Sequence, residues 1–249
     1  MADEFGLDGY SATELAGELG LPKVELLEHT RSTLDIAHDL ATKGARPGTL
    51  VIADRQTEGR GRGGSTWVSP GGTGLWLTLI ERPSDASAVD VLSLRTGIRA
   101  ARALDLFAEE PIRLKWPNDL YVGTGKLGGI LIEARWREGK IEWVAIGIGI
   151  NVALPAGVPD AAALEPGTRR IDVLMELLPG LRNAASCTGE LTTLELLEFD
   201  TRDLARGHHC VEPAQVIVRG ITASGELIVA LADSVARFRS GSLILDKIS

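Results

Sequence analysis

The sequence predicts an α+β fold, in which helices flank a mixed β-sheet and a small β-rich unit follows at the C-terminal end. Extended apolar runs alternate with helical segments through most of the chain, and short β-rich runs replace this pattern from Gly207 onwards. Hydrophobic residues make up 44% of the 249 residues, which is enough to bury a sizeable core. Such alternation is typical of α/β or α+β proteins, and we predict the α+β arrangement.

The first predicted element is a short capped helix at residues 11–20, with Ser11 or Thr13 as its N-cap and Gly20 as its stop. Such a helix could begin a helix-turn-helix motif. Residues 24–27, however, have the pattern of a strand, so no recognition helix follows. We therefore expect this helix to pack on the main domain.

The middle of the chain alternates between strands and helices. Strands are predicted at residues 49–53, 74–80, 112–116, 127–133 and 143–152, and helices at residues 86–107, 171–178 and 191–205. The charged residues 135–140 predict a turn that joins the last two strands in a hairpin, and the proline- and glycine-rich residues 153–168 predict a surface loop.

The C-terminal region has short β-rich runs at residues 215–219, 226–230 and 243–245. They predict a small antiparallel β-barrel, which is near the lower size limit for an independent core and should lean on the main domain. The predicted division of the chain is an N-terminal extension, a main domain and a C-terminal β domain, at residues 1–25, 26–206 and 207–249.

Composition excludes several classes of function. The formal net charge is -8 and no basic stripe is present, which disfavours nucleic-acid binding. No apolar run approaches about 18 residues, so no membrane segment is expected. Cys187 and Cys210 lie far apart, which suits a reducing compartment and predicts a cytoplasmic protein without a zinc cluster. His208 and His209 are not near an acidic pair, so no metal site is predicted.

A segment rich in glycine and arginine, residues 56–67, is the most informative stretch, and we call it the glycine-arginine loop. Gly59, Gly61 and Gly64 match the dinucleotide pattern G-x-G-x-x-G, but that motif needs a helix to begin at the glycines, and the following residues cannot form one. The loop nearly matches a P-loop as well, but lacks its lysine. We exclude both interpretations.

Glycines give this loop freedom, and Arg60 and Arg62 give it fixed positive charge. The loop is therefore predicted to be mobile and to order around an anion. An isolated R-G-R would more often be a solvated surface loop, so the functional interpretation depends on the motifs that accompany it.

Three further motifs follow in order: K-W-P-N-D at residues 115–119, K-L-G-G-I-L-I-E at residues 126–133 and G-I-G-I-N-V at residues 147–152. With these motifs and the glycine-arginine loop, the chain from about Leu26 to its C-terminus closely resembles the biotin–protein ligase family. The resemblance implies a class II synthetase-like catalytic domain with mixed sheet and flanking helices, followed by an SH3-like β-barrel.

The resemblance also implies an activity. Members use ATP, with Mg²⁺, to convert biotin to biotinyl-5′-AMP, and then transfer biotin to one lysine of a biotin carboxyl carrier protein or the carrier domain of a biotin-dependent carboxylase. Both steps gather negative charge, so the site needs cations and protection from water. The short N-terminal extension leads us to expect no winged-helix DNA-binding domain and no nucleic-acid partner. A homodimer is left open.

Individual roles follow from the resemblance. Lys126 heads an apolar strand and is implied to contact both carboxylate and phosphate, and Arg62 offers a bidentate guanidinium to the phosphate. These two are the predicted catalytic residues. The predicted biotin-binding residues are Ser32, Thr33, Leu34, Gln56, Gly59, Arg60, Gly61, Arg62, Lys126 and Gly129. The predicted nucleotide-binding residues are Arg62, Trp67, Asn118, Lys126 and Asn151.

Several of these residues have a structural alternative. Ser32 and Thr33 fit equally well as N-caps of a helix at residues 34–40. Asp119 could cap a turn after Pro117. The tryptophans at positions 116, 136 and 143 are predicted to be packing residues.

The chain also departs from the family pattern at Leu34, where members commonly carry asparagine, and at Gly63 and Ser65, where many carry arginine. The loop is therefore less charged, with a looser expected hold on biotinyl-AMP. Two other functions stay open on the same fold: a lipoyl- or octanoyl-transferring ligase, and a biotin or nucleotide sensor without turnover. Lys126 and Arg62 disfavour the sensor.

Overall fold

Two β-sheets form the framework of the protein in a computed structural model that describes residues 5–246. The strands of the larger sheet are β1 (Val24–Thr30), β2 (Thr49–Gln56), β3 (Gly74–Glu81), β4 (Arg113–Lys115), β5 (Asp119–Val122), β6 (Gly125–Arg137) and β7 (Lys140–Asn151). Their order across the sheet is β1-β2-β3-β7-β6-β5-β4. Only β1 and β2 are paired in parallel among these neighbours, so the sheet is mixed as predicted.

Five α-helices accompany the strands within the described residues: α1 (Ala12–Glu18), α2 (Thr33–Thr42), α3 (Leu92–Leu104), α4 (Arg170–Ser186) and α5 (Thr193–Arg202). The smaller sheet is antiparallel and has the order β11-β10-β9-β8-β12. Its strands are β8 (His209–Glu212), β9 (Val216–Ile221), β10 (Leu227–Ala230), β11 (Val235–Phe238) and β12 (Ile244–Leu245). The predicted α+β class with a small C-terminal β unit is confirmed.

The two faces of the large sheet carry different layers. Val51, Thr78 and Gly147 lie opposite one another on successive strands and therefore share a face. Helix α2 covers part of this face with Ala37 and Ala41. Helices α3 and α4 cover the opposite face and form the larger core. The uncovered part of the first face is where the cleft described below lies.

The N-terminal segment packs on the main body, as predicted. Ser11 caps α1, with its side chain accepting from Glu14 N and Glu14 reaching back to Ser11 N at 2.8 Å. Leu7, Leu15 and Leu21 are buried in the larger core, so burial rather than helix propensity alone holds this short helix. The predicted terminal units at 1–25 and 207–249 include residues 1–4 and 247–249, which lie outside the described residues.

The predicted turn at residues 135–140 is too long. Strand β6 continues to Arg137 and β7 begins at Lys140, so that the turn contains only Glu138 and Gly139. Both have positive φ, 51° and 75°, and two such residues give the tight hairpin turn whose twist matches that of the flanking strands. The charged side chains here belong to exposed strand ends instead of to a loop.

The predicted helices differ in their bounds. The segment 86–107 is α-helical only at Leu92–Leu104, with 3-10 turns at Ala86–Val91 and Asp105–Phe107. Helix α4 continues through Pro179, where the sequence predicts its end. An interior proline costs about 3 kcal/mol. Burial of Leu177 and Leu181 on either side, at roughly 1.5–3 kcal/mol per side chain, outweighs that loss.

Three strands are missing from the prediction. Strands β5, β8 and β11 have four residues each and mix polar with apolar residues, whereas the equally short β10, Leu227–Ala230, is a continuous apolar run that was predicted. No helix among residues 5–246 is long and apolar enough to span a membrane.

Candidate active site

A cleft of about 510 Å³ opens on the uncovered face of the large sheet. Its walls come from the start of α2, the glycine-arginine loop, strands β6 and β7, the loop after β7, and the segment before β12. The structure brings nearly all of the predicted site residues to this cleft: Ser32, Thr33, Leu34, Gln56, Arg60, Gly61, Arg62, Trp67, Asn118, Lys126, Gly129 and Asn151. Gly59 is the exception.

Gly59 and Gly61 allow close contacts within the glycine-arginine loop. A Cβ at Gly59 would lie 2.3 Å from Trp67 O, and one at Gly61 would lie 2.5 Å from Ser65 Oγ. Both glycines permit the loop to fold back on itself through the hydrogen bonds Trp67 N to Gly59 O and Gly61 N to Ser65 O, each 2.8 Å long. No α-helix begins at these glycines, which is consistent with excluding the dinucleotide motif.

Bare strand backbone forms the floor of the cleft. Gly147 and Gly149 alternate on one face of β7. A Cβ at Gly149 would lie 2.5 Å from Trp67 Nε1, and one at Gly147 would lie 3.3 Å from the Leu34 methyl groups. The side chains of Trp67 and Leu34 therefore rest directly on the sheet.

The neighbouring strand separates the two adjacent glycines of the K-L-G-G motif. Gly129 lines the cleft, whereas a Cβ at Gly128 would lie 2.6 Å from Ile150 Cδ1, on the core side. Of these two glycines only Gly129 faces the cleft, because adjacent strand residues point to opposite faces.

A chain of hydroxyl and amide groups lies at the start of α2. Thr33 donates from its backbone N at 2.8 Å and from Oγ1 at 3.1 Å to Gln56 Oε1. Thr78 Oγ1, which is fully buried, donates to Thr33 Oγ1 at 2.9 Å. Gln56 Nε2 donates to Ser69 Oγ at 2.9 Å. The hydroxyl of Thr33 is thus already used as a donor and retains only acceptor capacity toward a ligand.

Ser32 is the N-cap residue of α2 by its backbone, but its side chain makes no capping hydrogen bond. The alternative prediction that its hydroxyl serves as a side-chain N-cap is therefore wrong. This hydroxyl lines the cleft, where it can donate to a ligand.

Lys126 lies among charged and aromatic groups. Its Nζ is 2.7 Å from Asp119 Oδ1 and 5.4 Å from the centre of the Trp67 ring. Lys115 Nζ is 3.7 Å from the other Asp119 oxygen and 3.2 Å from Tyr121 Oη. One carboxylate thus holds two ammonium groups at the cleft.

Asp119 and Lys115 are absent from the predicted site residues. Asp119 begins strand β5 and does not cap a turn, so that alternative prediction is wrong. The signal that could have found it is its place in the K-W-P-N-D motif, directly across a short hairpin from the Lys126 strand.

The two loop arginines have different surroundings. Arg60 forms ion pairs with Asp35 at 3.1 Å and with Glu133 at 3.2 Å. Arg62 donates from Nη1 to Gly241 O at 3.3 Å. Burial lowers the pKa of Arg62, and the nearby Asp119 charge opposes that shift. Arg62 is therefore the more available of the two guanidinium groups for a ligand anion.

The side-chain amides of Asn118 and Asn151, two of the predicted nucleotide-binding residues, also form hydrogen bonds within the protein. Asn118 Nδ2 donates to Ile130 O at 2.8 Å, and Asn151 Nδ2 donates to Ala162 O at 3.0 Å and Lys126 O at 3.3 Å. These N–H groups join the strands and loop around the cleft, which leaves for a ligand the side-chain carbonyl oxygen of each residue and the second N–H of Asn118.

The C-terminal sheet contributes a wall that sequence analysis missed. Ser242, Leu243 and Ile244 line the cleft, and Trp116 Nε1 donates to Gly225 O at 2.9 Å. The buried tryptophan of K-W-P-N-D thereby fastens the C-terminal sheet to the site. Within residues 5–246, no group of three or more His, Cys, Asp or Glu side chains could hold a metal ion.

The fold and cleft define a class of protein: an α+β protein whose mixed sheet carries, beneath a cationic loop, a cleft suited to a small molecule with apolar and anionic parts. A family model described as the biotin/lipoate A/B protein ligase family matches residues 26–151, half of the chain. The chain belongs to this family.

Individual proteins share this similarity. The bifunctional ligase/repressor BirA of Bacillus spizizenii is 41% identical over 122 residues, which are 49% of this chain and 38% of that protein. A biotin–[acetyl-CoA-carboxylase] ligase of Paracoccus denitrificans is 38% identical over 144 residues, which are 57% of this chain and 58% of that protein. The chain thus spans less than two thirds of the length of these relatives.

A solved structure has a similar fold over most of the chain. The biotin protein ligase of Aquifex aeolicus, in complex with biotin and ATP, superposes with a TM-score of 0.72 at 24% identity, covering 91% of this chain and 99% of that one. This likeness concerns the fold.

Proposed function

We propose that this protein is a biotin–protein ligase, which activates biotin with ATP and attaches it to one lysine of a carrier protein. Family membership, the cleft and the curated relatives support this proposal. The observation that carries the choice of biotin is the donor and acceptor pattern at the start of α2.

That pattern is complementary to a cyclic urea. Thr33 Oγ1 donates to Gln56 and receives a hydrogen bond from Thr78, so its remaining lone pair can only accept from a ligand N–H. Ser32 next to it has a hydroxyl that can donate to a ligand carbonyl. Biotin's ureido ring presents both groups side by side, whereas the dithiolane of lipoate and the alkyl chain of octanoate present neither.

Two cations in the cleft suit the activated carboxylate. Lys126 and Arg62 line the cleft, and both would bring positive charge to where the carboxylate oxygen attacks the α-phosphorus of ATP. A P–O bond forms and the bond to pyrophosphate breaks. The carrier lysine's neutral amine then attacks the anhydride carbonyl, a C–N bond forms, AMP leaves with the C–O electron pair, and the amine loses a proton.

Mg²⁺ fits this site as the partner of ATP. Asp119 is the one acidic residue among the described residues that line the cleft, and its oxygens face Lys126 and Lys115. The phosphates of ATP, more than a cluster of protein carboxylates, would therefore hold the ion. When bound, Mg²⁺ would neutralise charge on the phosphates.

The proposed protein partner is a biotin carboxyl carrier protein or the carrier domain of a biotin-dependent carboxylase. The Paracoccus denitrificans relative, whose name specifies acetyl-CoA carboxylase, supports this choice. We propose that the transfer takes place in the cytoplasm.

Exchange of labelled pyrophosphate into ATP tests the proposal. Biotin should drive the exchange in the presence of Mg²⁺, whereas lipoate and octanoate, run in parallel, should not. The family also includes lipoate ligases, so exchange driven by lipoate and not by biotin would replace the proposal with that function.

A further inference from the structure

Arg60 of the glycine-arginine loop is held by one hydrogen bond and two further ion-pair contacts to carboxylates. Its Nη1 lies 3.2 Å from Glu133 Oε1, and its Nη2 donates to Glu133 Oε2 at 3.2 Å. Asp35 on α2 accepts a third contact from Nη2 at 3.1 Å. A paired fork of this kind fixes the guanidinium in orientation as well as in place.

Glu133 is itself held by a second pair of residues. His38 Nε2 lies 2.8 Å from Glu133 Oε2, and Trp143 Nε1 donates to His38 Nδ1 at 3.0 Å. An indole N–H is only a donor, so Nδ1 must be the acceptor nitrogen and Nε2 must carry the hydrogen that goes to Glu133. The four side chains therefore form a connected network in which His38, itself held by Trp143, and Arg60 both donate to the Glu133 carboxylate.

The residues that hold Arg60 lie on three elements outside the glycine-arginine loop. His38 and Asp35 are on α2, Glu133 is on β6 and Trp143 is on β7. The side chains of Arg60 and Glu133 are 38% and 31% exposed, so solvent weakens the ion pair but leaves its geometry defined. The hydrogen bond from His38 is the main reason that the pKa of Glu133 is lowered, with the Arg60 charge contributing after it.

We propose that Glu133 is a positioning residue that pins the glycine-arginine loop over the cleft through Arg60, before any ligand binds. The two arginines then divide their roles: Arg60 fastens the loop to α2 and β6, while Arg62 remains for the ligand anion. The consequence for biotin affinity rests on the proposed function, whereas the consequence for the ligand-free loop does not.

Limited proteolysis of the ligand-free protein tests the pinning directly. Glu133→Gln should be cut by trypsin after Arg62 about fivefold faster than the unchanged protein, because one charged fork is lost from a partly exposed site. Asp35→Asn, at a more exposed position, should shift the rate in the same direction by a smaller factor. Asp39→Asn, on the same helix but paired with Lys43, is the matched control and should leave the rate unchanged.

A double-mutant cycle separates positioning from a general loss of stability. In an Arg60→Ala background, Glu133→Gln should have no further effect on the cleavage rate. In the unchanged background it should raise the KM for biotin about fivefold and change kcat less than about twofold, since binding geometry and not chemistry is altered.

Cleavage rates and KM values equal to those of Asp39→Asn would overturn the proposal, as would an undiminished effect of Glu133→Gln without Arg60. If Glu133→Gln does not fold, Asp35→Asn and Arg60→Lys take its place, since lysine keeps the charge but cannot form the fork. A protein that shows no biotin-dependent exchange but retains the cleavage pattern would reject the proposed function and keep the pinning.

Discussion

Lys126 Nζ and Asp119 Oδ1 are 2.7 Å apart across the β5–β6 hairpin, in a cleft that also contains Lys115 and the Trp67 ring. The carboxylate orients the ammonium group before ligand binding and leaves the cleft with a surplus of positive charge. A group placed in this way needs little reorganisation when negative charge develops on a carboxylate and phosphate beside it.

Replacing Lys126 tests this role. Lys126→Ala should lower biotin-dependent pyrophosphate exchange by two to four orders of magnitude, about 3 to 5 kcal/mol of transition-state stabilisation. The fold should persist, because the side chain is 35% exposed and Asp119 keeps Lys115 as a partner. Lys43→Ala, at the exposed position that directly follows α2, is the control. Near-normal exchange, or loss of the folded state in thermal unfolding, would contradict the assignment.

A second prediction concerns Thr78, which does not line the cleft itself but donates to Thr33, which does. Thr78→Val preserves shape and removes the hydrogen bond that Thr33 Oγ1 accepts, so that only the bond to Gln56 still orients the Thr33 hydroxyl. A neutral hydrogen bond is worth about 0.5–1.5 kcal/mol, so the KM for biotin should rise by roughly two- to tenfold with little change in kcat. Steady-state kinetics would measure this, with Thr42→Val, on the outer side of α2, as the matched variant. An unchanged KM would mean that the hydrogen-bond polarity at Thr33 does not support biotin as the substrate.

The sequence predicts the cleft well where a motif marks a position on a strand or helix. The period-2 alternation in G-I-G-I-N places Gly147 and Gly149 on one face, and the K-L-G-G motif places Lys126 at a strand start. What the sequence does not predict is contact between distant segments. Arg60 and Glu133 are 73 residues apart, and their meeting depends on strand order and register, which no local pattern contains.

The same limit applies to the C-terminal region. Its strands predict a small β unit, but the wall that Ser242 and Leu243 add to the cleft depends on docking through Trp116. The sequence could not decide between a capping and a ligand-binding role for Ser32 and Thr33, because an N-cap and a ligand site have the same residue preference. Only hydrogen-bond geometry separates them.

Asp203 gives the protein a pH-dependent stability. It follows α5, is 5% exposed and accepts from Ala205 N at 2.9 Å. Burial raises the pKa of this carboxyl from 3.8 to about 6. Because the folded pKa exceeds the unfolded one, the folded state binds the extra proton, so this group's stabilisation is complete below about pH 4 and is lost as the pH rises to about 6.

Asp203→Asn should remove this dependence, since an amide oxygen still accepts from Ala205 N but does not ionise. The unchanged protein should lose at most on the order of 3 kcal/mol of unfolding free energy from this group between about pH 4 and 6, at about 1.4 kcal/mol per pKa unit. Urea unfolding at several pH values would measure the difference between the two proteins. Parallel stability curves over that range would show that Asp203 does not titrate as described.

The last prediction concerns Arg62, the loop arginine whose charge is not paired with a carboxylate at close range among the described residues. Biotin with ATP should slow tryptic cleavage after Arg62, because an anion held by this guanidinium adds a contact that the free loop lacks.

Arg62→Ala should retain part of the exchange activity, since Lys126 remains, but should release the reactive adenylate into solution. Release would appear as biotin on lysines of an added bystander protein such as albumin, detected by mass spectrometry. Arg137→Ala, exposed at the β6–β7 turn, should leave bystander labelling at its original level. If Arg62→Ala labels the bystander no more than this control, and ligands do not slow cleavage of the unchanged protein, then Arg62 does not hold the ligand anion and does not retain the intermediate.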